Sequence, residues 1–179
     1  SLNESKTLDG ITTEELETIQ KGKEKQIELT IQQLQKEKEL YQAGSKERLQ
    51  IERELQDAEI SLRQQKINAV KELIQHELDL SITKIDLENA ELEKGLLAGF
   101  VKREDYDKAL AVNRQKNTQA EIESFQQQLS LYEKGSKEYS EILVQISQKQ
   151  NDLQRQLIDE TIRLQDRLLQ KRTTDITTE

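Results

Sequence analysis

Apolar residues recur every three or four positions along most of this chain, and no stretch alternates apolar with polar one for one, so the pattern predicts helices and no strands. The first helix is expected over residues 12–43. Thr12 is placed as its N-cap, with Glu15 three residues on completing a capping box and Ile11 able to staple onto Leu16. Its stripe is Ile19, Ile27, Ile31, Leu34 and Tyr41. Gly44 stops it, because glycine takes the left-handed conformation that ends a helix, and Ser45 supplies the next N-cap with Glu47 in the opening turn. A second helix is expected over 45–94, interrupted by neither Gly nor Pro. It carries two stripes: Ile51, Leu55, Ala58, Leu62, Ala69 and Leu73, then Ile60, Ile67, Val70, Ile74 and Leu78. Two stripes on one helix imply two neighbours.

Residues 95–101, Gly-Leu-Leu-Ala-Gly-Phe-Val, form an apolar connection between Gly95 and Gly99. Leu96, Leu97, Phe100 and Val101 are expected either to cap the end of a bundle or to form an exposed tip that grips a partner. A third helix is expected over 102–134 and a fourth over 136–172, joined by Gly135 and Ser136. The seam of the fourth is predicted as Tyr139, Ile142, Ile146, Leu153, Leu157, Ile162, Leu164 and Leu168. The fold class is therefore all-α, a coiled-coil bundle of long antiparallel hairpins with about four helices: a lead over 1–11 expected to be disordered, one hairpin over 12–94 and a second over 102–172.

A repeat organises these elements. Leu40-Tyr41-Gln42-Ala43-Gly44-Ser45-Lys46-Glu47 returns as Leu131-Tyr132-Glu133-Lys134-Gly135-Ser136-Lys137-Glu138, an offset of 91 residues. At the same offset Ile51, Leu62, Gln65 and Ile67 fall on Ile142, Leu153, Gln156 and Ile158, and Leu55 falls on Ile146. Repetition of a supersecondary unit points to architecture or interaction rather than to one catalytic pocket. Ile11-Thr12-Thr13-Glu14 also matches Ile176-Thr177-Thr178-Glu179, so residues 173–179 are expected to open a further unit. Methionine is absent, even at position 1, and the chain is expected to be a segment of a longer protein.

Composition sharpens this picture. Charged residues make up 35% and hydrophobic ones 33%, so each helix can bury a stripe but not a wide face; the absence of proline separates the chain from disordered sequences of similar polarity. The net charge of -8 disfavours nucleic acid and anionic lipid as partners, and the densest basic cluster, Lys21, Lys23 and Lys25, is broken by Glu24. No segment has the run of apolar residues that a membrane span requires. Helices of unequal length leave stripes without an internal partner, so self-association as a dimer or trimer is expected.

Candidate chemistry is sparse, and no cofactor, metal or catalytic residue is assigned. His76 is the sole imidazole and is expected on a solvated face or at a seam edge. Glu72 precedes it by four residues rather than the three of the di-metal bundle motif. Consecutive or alternate carboxylates such as Glu14-Glu15 and Glu91 with Glu93 point to different faces, and no phosphate-binding loop or nucleophile elbow is present.

The turns at 40–47 and 131–139, with the Glu-Lys-Gly-Leu and Glu-Asp-Tyr-Asp-Lys-Ala-Leu sequences over 93–110, resemble the helical repeat regions of phage tail tape measure proteins. That resemblance implies a spacer that sets tail length and fills the tail lumen, with tail-tube or other structural proteins as partners, a place in the virion tail, and no catalytic residues. Lys94 through Asp107 is also similar to the tip of the helical hairpin in periplasmic adaptors of tripartite efflux and secretion systems, which implies a docking module instead. Lys102 stands where that tip motif prefers serine, and further Gly-Ser turns interrupt such a hairpin.

Overall fold

Thr12 opens the first helix with both halves of a capping box. The Glu15 N–H donates to the Thr12 hydroxyl at 3.2 Å, and the Thr12 N–H donates to the Glu15 carboxylate at 2.8 Å. The computed structural model describes residues 10–177, with side chains described as far as Arg172. Four helices follow in order: α1 (Thr13–Lys38), α2 (Lys46–Leu97), α3 (Arg103–Leu129) and α4 (Lys137–Thr177). They account for 87% of the described residues, with no strand among them. Most of the lead expected over 1–11 and the last two residues of the chain lie outside the described part.

The protein divides into two compact units, Ser1–Glu77 and Leu78–Glu179. In the first, α1 runs antiparallel to the opening part of α2, since Gln20 contacts both Gln65 and Glu72 across a turn at residues 39–45. In the second, two antiparallel pairings share α3. Asn113 donates to Asn89 of α2 at 2.8 Å and Lys116 pairs with Glu88; on α4, Gln156 donates to the Thr118 hydroxyl at 2.9 Å and Lys149 pairs with Glu121.

Both Gly-Ser links reverse the chain, and they repeat bond for bond. Leu40 N–H donates to the Glu37 carbonyl at 3.0 Å and Ser45 N–H to the Gln42 carbonyl at 3.1 Å; Leu131 N–H donates to Gln128 at 3.0 Å and Ser136 N–H to Glu133 at 3.0 Å. The serine hydroxyls then accept from Arg48 and Tyr139 N–H at 3.2 and 3.1 Å, capping α2 and α4. Gly44 and Gly135 adopt φ of +80° and +91°. These three-residue-spaced bonds tighten the chain before each glycine, so α1 ends at Lys38 and α3 at Leu129 instead of the expected residues 43 and 134.

The connection expected over 95–101 is shorter than the glycines suggest. Helix α2 continues through Gly95 to Leu97, and Gly99, at φ +76°, is the residue that ends it. The Gly95 carbonyl accepts from Phe100 N–H at 2.9 Å while Gly99 N–H donates to Leu96 at 3.1 Å, a Schellman closure. Gly95 is needed for space: a Cβ there would lie 2.7 Å from Val101 Cγ2. At the other end of the chain, α4 passes residue 172 without a break and Thr177 is helical, whereas its sequence counterpart Thr12 is an extended cap. The rest of the Ile-Thr-Thr-Glu motif at that end, Thr178 and Glu179, lies outside the described residues.

The glycines give a graded prediction. Gly22 lies inside α1 with open space around it, so Gly22→Ala is expected to stabilise by about 1 kcal/mol. Gly44→Ala and Gly135→Ala are each expected to destabilise by about 1–2 kcal/mol, the strain of a left-handed alanine. Gly95→Ala is also expected to destabilise, and Val101→Ala in the same chain to relieve that loss. Thermal melts followed by far-ultraviolet circular dichroism check the signs.

Candidate interaction surfaces

The seam of each hairpin changes chemistry along its length. In α2 the residues facing α1 recur at alternate spacings of four and three: Ile51, Leu55, Ala58 and Leu62, then Gln65, Ala69, Glu72 and His76. The equivalent positions of α4 are Ile142, Ile146, Lys149 and Leu153, then Gln156, Glu160, Arg163 and Arg167. Close to the turn the seam is apolar, with Ile51, Leu55, Ile142 and Ile146 all buried. Farther out it is polar in both copies.

In the first unit Gln20, 3% exposed, lies on this polar stretch. Its amide nitrogen donates to the Glu72 carboxylate, and its amide oxygen accepts from Gln65 at 2.8 Å. Ile19, expected in the α1 stripe, is instead exposed. His76 corrects the sequence reading too: it is buried, with no hydrogen-bond partner for Nε2. Its neighbours in sequence are polar, but the heptad spacing from Ile51 carries position 76 onto the seam. Arg167, the repeat equivalent of His76, likewise has a buried Nη1 without a partner.

In the second unit the polar seam is an ion cluster. Asp107 of α3 receives Arg163 Nη2 at 3.0 Å and Arg167 Nη2 at 3.3 Å on one carboxylate oxygen, and Arg103 Nε at 3.2 Å on the other. The Asp107 side chain is only 14% exposed. Beside this cluster the Lys108 ammonium, hydrogen-bonded to Glu104 and backed by Lys171, lowers the pKa of that exposed carboxylate. The groove lined by Asp107, Arg114, Gln156 and Arg163 encloses about 300 Å³, with acidic and basic groups paired around it. No group of three or more His, Cys, Asp or Glu residues that could hold a metal ion occurs among the described residues.

The residues expected to face α3 beyond Leu153 do not do so. Leu157, Ile162, Leu164 and Leu168 are 40–62% exposed, whereas Gln156, Glu160 and Arg167 are partly covered and Arg163 reaches Asp107 from an exposed position. Following hydrophobicity alone shifts the seam by one residue, because the apolar track of α4 leaves the heptad register after Leu153. On α2 the second stripe divides similarly: Ile74 is buried, while Ile60 and Val70 are exposed.

The tip between α2 and α3 is divided. Leu96 and Val101 are half-buried, and Val101 packs over Gly95, while Leu97 and Phe100 are 81% and 88% exposed. Among the described residues no helix is long and apolar enough to cross a membrane. No known protein family matches the chain, and neither a curated protein nor a solved structure matches it significantly.

Proposed function

We propose that the chain is a structural spacer built from a repeated helical hairpin, the role that its resemblance to phage tail tape measure proteins implies, and that it self-associates in its working assembly. The observation that supports this reading is the repeat itself: two links with the same hydrogen bonds, followed by the same buried positions 51/142 and 55/146. A module whose copies preserve turn and seam but vary the polar groups between them conserves spacing rather than a chemical site.

The exposed Leu97 and Phe100 support a second reading, a docking hairpin of the adaptor kind, in which the α2–α3 tip inserts into an apolar partner surface. One experiment separates the two. Deleting residues 46–136 removes one period of 91 residues and joins Ser45 to Lys137, so α1, the Gly44-Ser45 link and α4 still form a hairpin. A spacer is expected to give an intact but shorter assembly in electron micrographs, and an assembly of unchanged length would refute that role. A docking tip instead predicts loss of assembly both in this deletion and in the Leu97→Ser, Phe100→Ser chain, whose length is unaltered.

A further inference from the structure

We propose that the outer face of α4 is the self-association surface, and that its partner is α4 of a second copy, parallel and in register. The inference gives the self-association included above its location, and does not depend on the spacer role.

The face is a second heptad track on the exposed side of α4. At alternate spacings of four and three it places Leu143, Leu157, Leu164 and Leu168 in line, with Ser147, Gln150, Gln154 and Thr161 between them. All eight are exposed, and Ile158, Ile162 and Leu169 widen the apolar part on one side. None of the eight is charged, in a chain that is 35% charged.

The repeat supplies an internal control for what such a face looks like when water covers it. The equivalent track of α2 carries Glu52, Glu59, Arg63, Lys66 and Glu77 among its eight positions, and those five are exposed. Two helices of common design therefore differ on the same face: charged on α2, neutral and leucine-rich on α4. A neutral track is what a second copy needs, because chains of net charge -8 repel one another wherever charged faces meet.

The order of residues selects the arrangement. With Leu143, Gln150, Leu157 and Leu164 at heptad position d, position a is Ser147, Gln154, Thr161 and Leu168. Leucine holds three of the four d positions, as in two-stranded parallel coils, and the polar residues at a fix register at a cost in stability. In register, Gln150 meets Gln150 and Gln154 meets Gln154, so amide donors face amide acceptors. An antiparallel pairing centred on the track would match Leu143 with Leu168 and Gln150 with Thr161, but it would set Gln154 against Leu157 and Ser147 against Leu164, whereas the parallel register sets like against like at all eight positions. The track also lies roughly 100° around α4 from the face packed on α3, at 3.6 residues per turn. That offset leaves room for the second copy beside the α3–α4 hairpin, making a four-helix bundle from two chains.

Sedimentation and cysteine cross-linking of the whole chain test the proposal. The chain is expected to sediment as a dimer of twice its 20.9 kDa mass. Leu157→Asp with Leu164→Asp is expected to give a monomer of unchanged helical circular dichroism, since both side chains are already exposed. The chain has no cysteine, so in Gln154→Cys the new thiol is unique. A mild copper oxidant is expected to convert this variant to a covalent dimer, and to leave Asp159→Cys, on the opposite side of α4, monomeric in denaturing gels. A wild-type chain that remains monomeric at its highest attainable concentration overturns both self-association and this surface. A dimer that survives the double aspartate substitution leaves self-association standing but overturns this surface. Loss of the dimer without cross-linking of Gln154→Cys overturns the parallel register.

Discussion

Replacing Ile122 with alanine is expected to destabilise the α3–α4 hairpin by about 2–5 kcal/mol, the range for emptying a buried aliphatic site that cannot fully collapse. Ile122 is 3% exposed. Polar residues occupy much of the remaining interior of α3, where Asn113, Thr118 and Ser124 are also buried, so few apolar contacts are available to close the cavity. A loss of this size is a large fraction of the roughly 5–15 kcal/mol that holds an ordinary domain together. Leu87→Ala is the matching control: the same kind of truncation at a side chain 64% exposed is expected to change stability by less than about 0.5 kcal/mol. Urea titrations followed by circular dichroism measure both. Equal midpoints for the two variants would mean that the interior of α3 contributes nothing special.

Replacing Asp107 with asparagine is expected to cost about 2–3 kcal/mol. Exposed ion pairs are worth about 0–1 kcal/mol and loss of one partner of a buried pair about 3–5 kcal/mol. Asp107 falls between these limits, with its own side chain 14% exposed and those of Arg163 and Arg167 46% and 26% exposed. The asparagine can still accept a hydrogen bond, but it leaves three guanidinium groups, Arg103, Arg163 and Arg167, around an uncharged side chain. Repulsion among them adds to the loss, so the destabilisation is expected to shrink as salt is raised. Glu141→Gln, which breaks the exposed pair with Lys137, is expected to have an effect of at most about 0.5 kcal/mol. A salt-independent loss, or a loss no greater than that of Glu141→Gln, would remove the cluster from any role in stability.

The helices were legible from sequence because their signals are local. The Thr12 and Glu15 capping box, Gly44 with Ser45, and Gly135 with Ser136 each act within a few residues, and the structure places caps or left-handed turns at all of them. Gly95 and Gly99 look alike in sequence, yet one sits inside a helix and the other ends it. Gly99 takes a φ of +76° while Gly95 stays helical with Val101 folded over it, and the closing bonds from Phe100 and Val101 to the Gly95 carbonyl set both. The seams were legible near the turns, where Ile51, Leu55, Ile142 and Ile146 are apolar and buried. They were not legible farther out. There Gln65, His76, Gln156 and Arg167 are covered, and although Ala69 and Ile74 stay buried on α2, hydrophobicity on α4 points to the neighbouring face, where Leu157, Leu164 and Leu168 are exposed. The cluster at Asp107 depends on pairing across 56 residues to Arg163 and 60 to Arg167, which no local pattern encodes. The exposed positions of Leu97 and Phe100 likewise follow from the Schellman closure at Gly99 rather than from composition.

The change from apolar to polar along each seam has a consequence for how the hairpins open. Ile51 and Leu55 stand within the first few turns after Ser45, and Ile142 and Ile146 after Ser136, so each hairpin is fastened at its closed end by water-excluding contacts. Apart from the ion cluster at Asp107, the open end is held by amides and charges that can exchange their partners for water at small cost. Fraying therefore starts there and runs toward the glycine, and amide hydrogens exchange with deuterium in that order. The short loop also makes the closed end the least entropically costly place to begin pairing, so the segment last to open is the first to form.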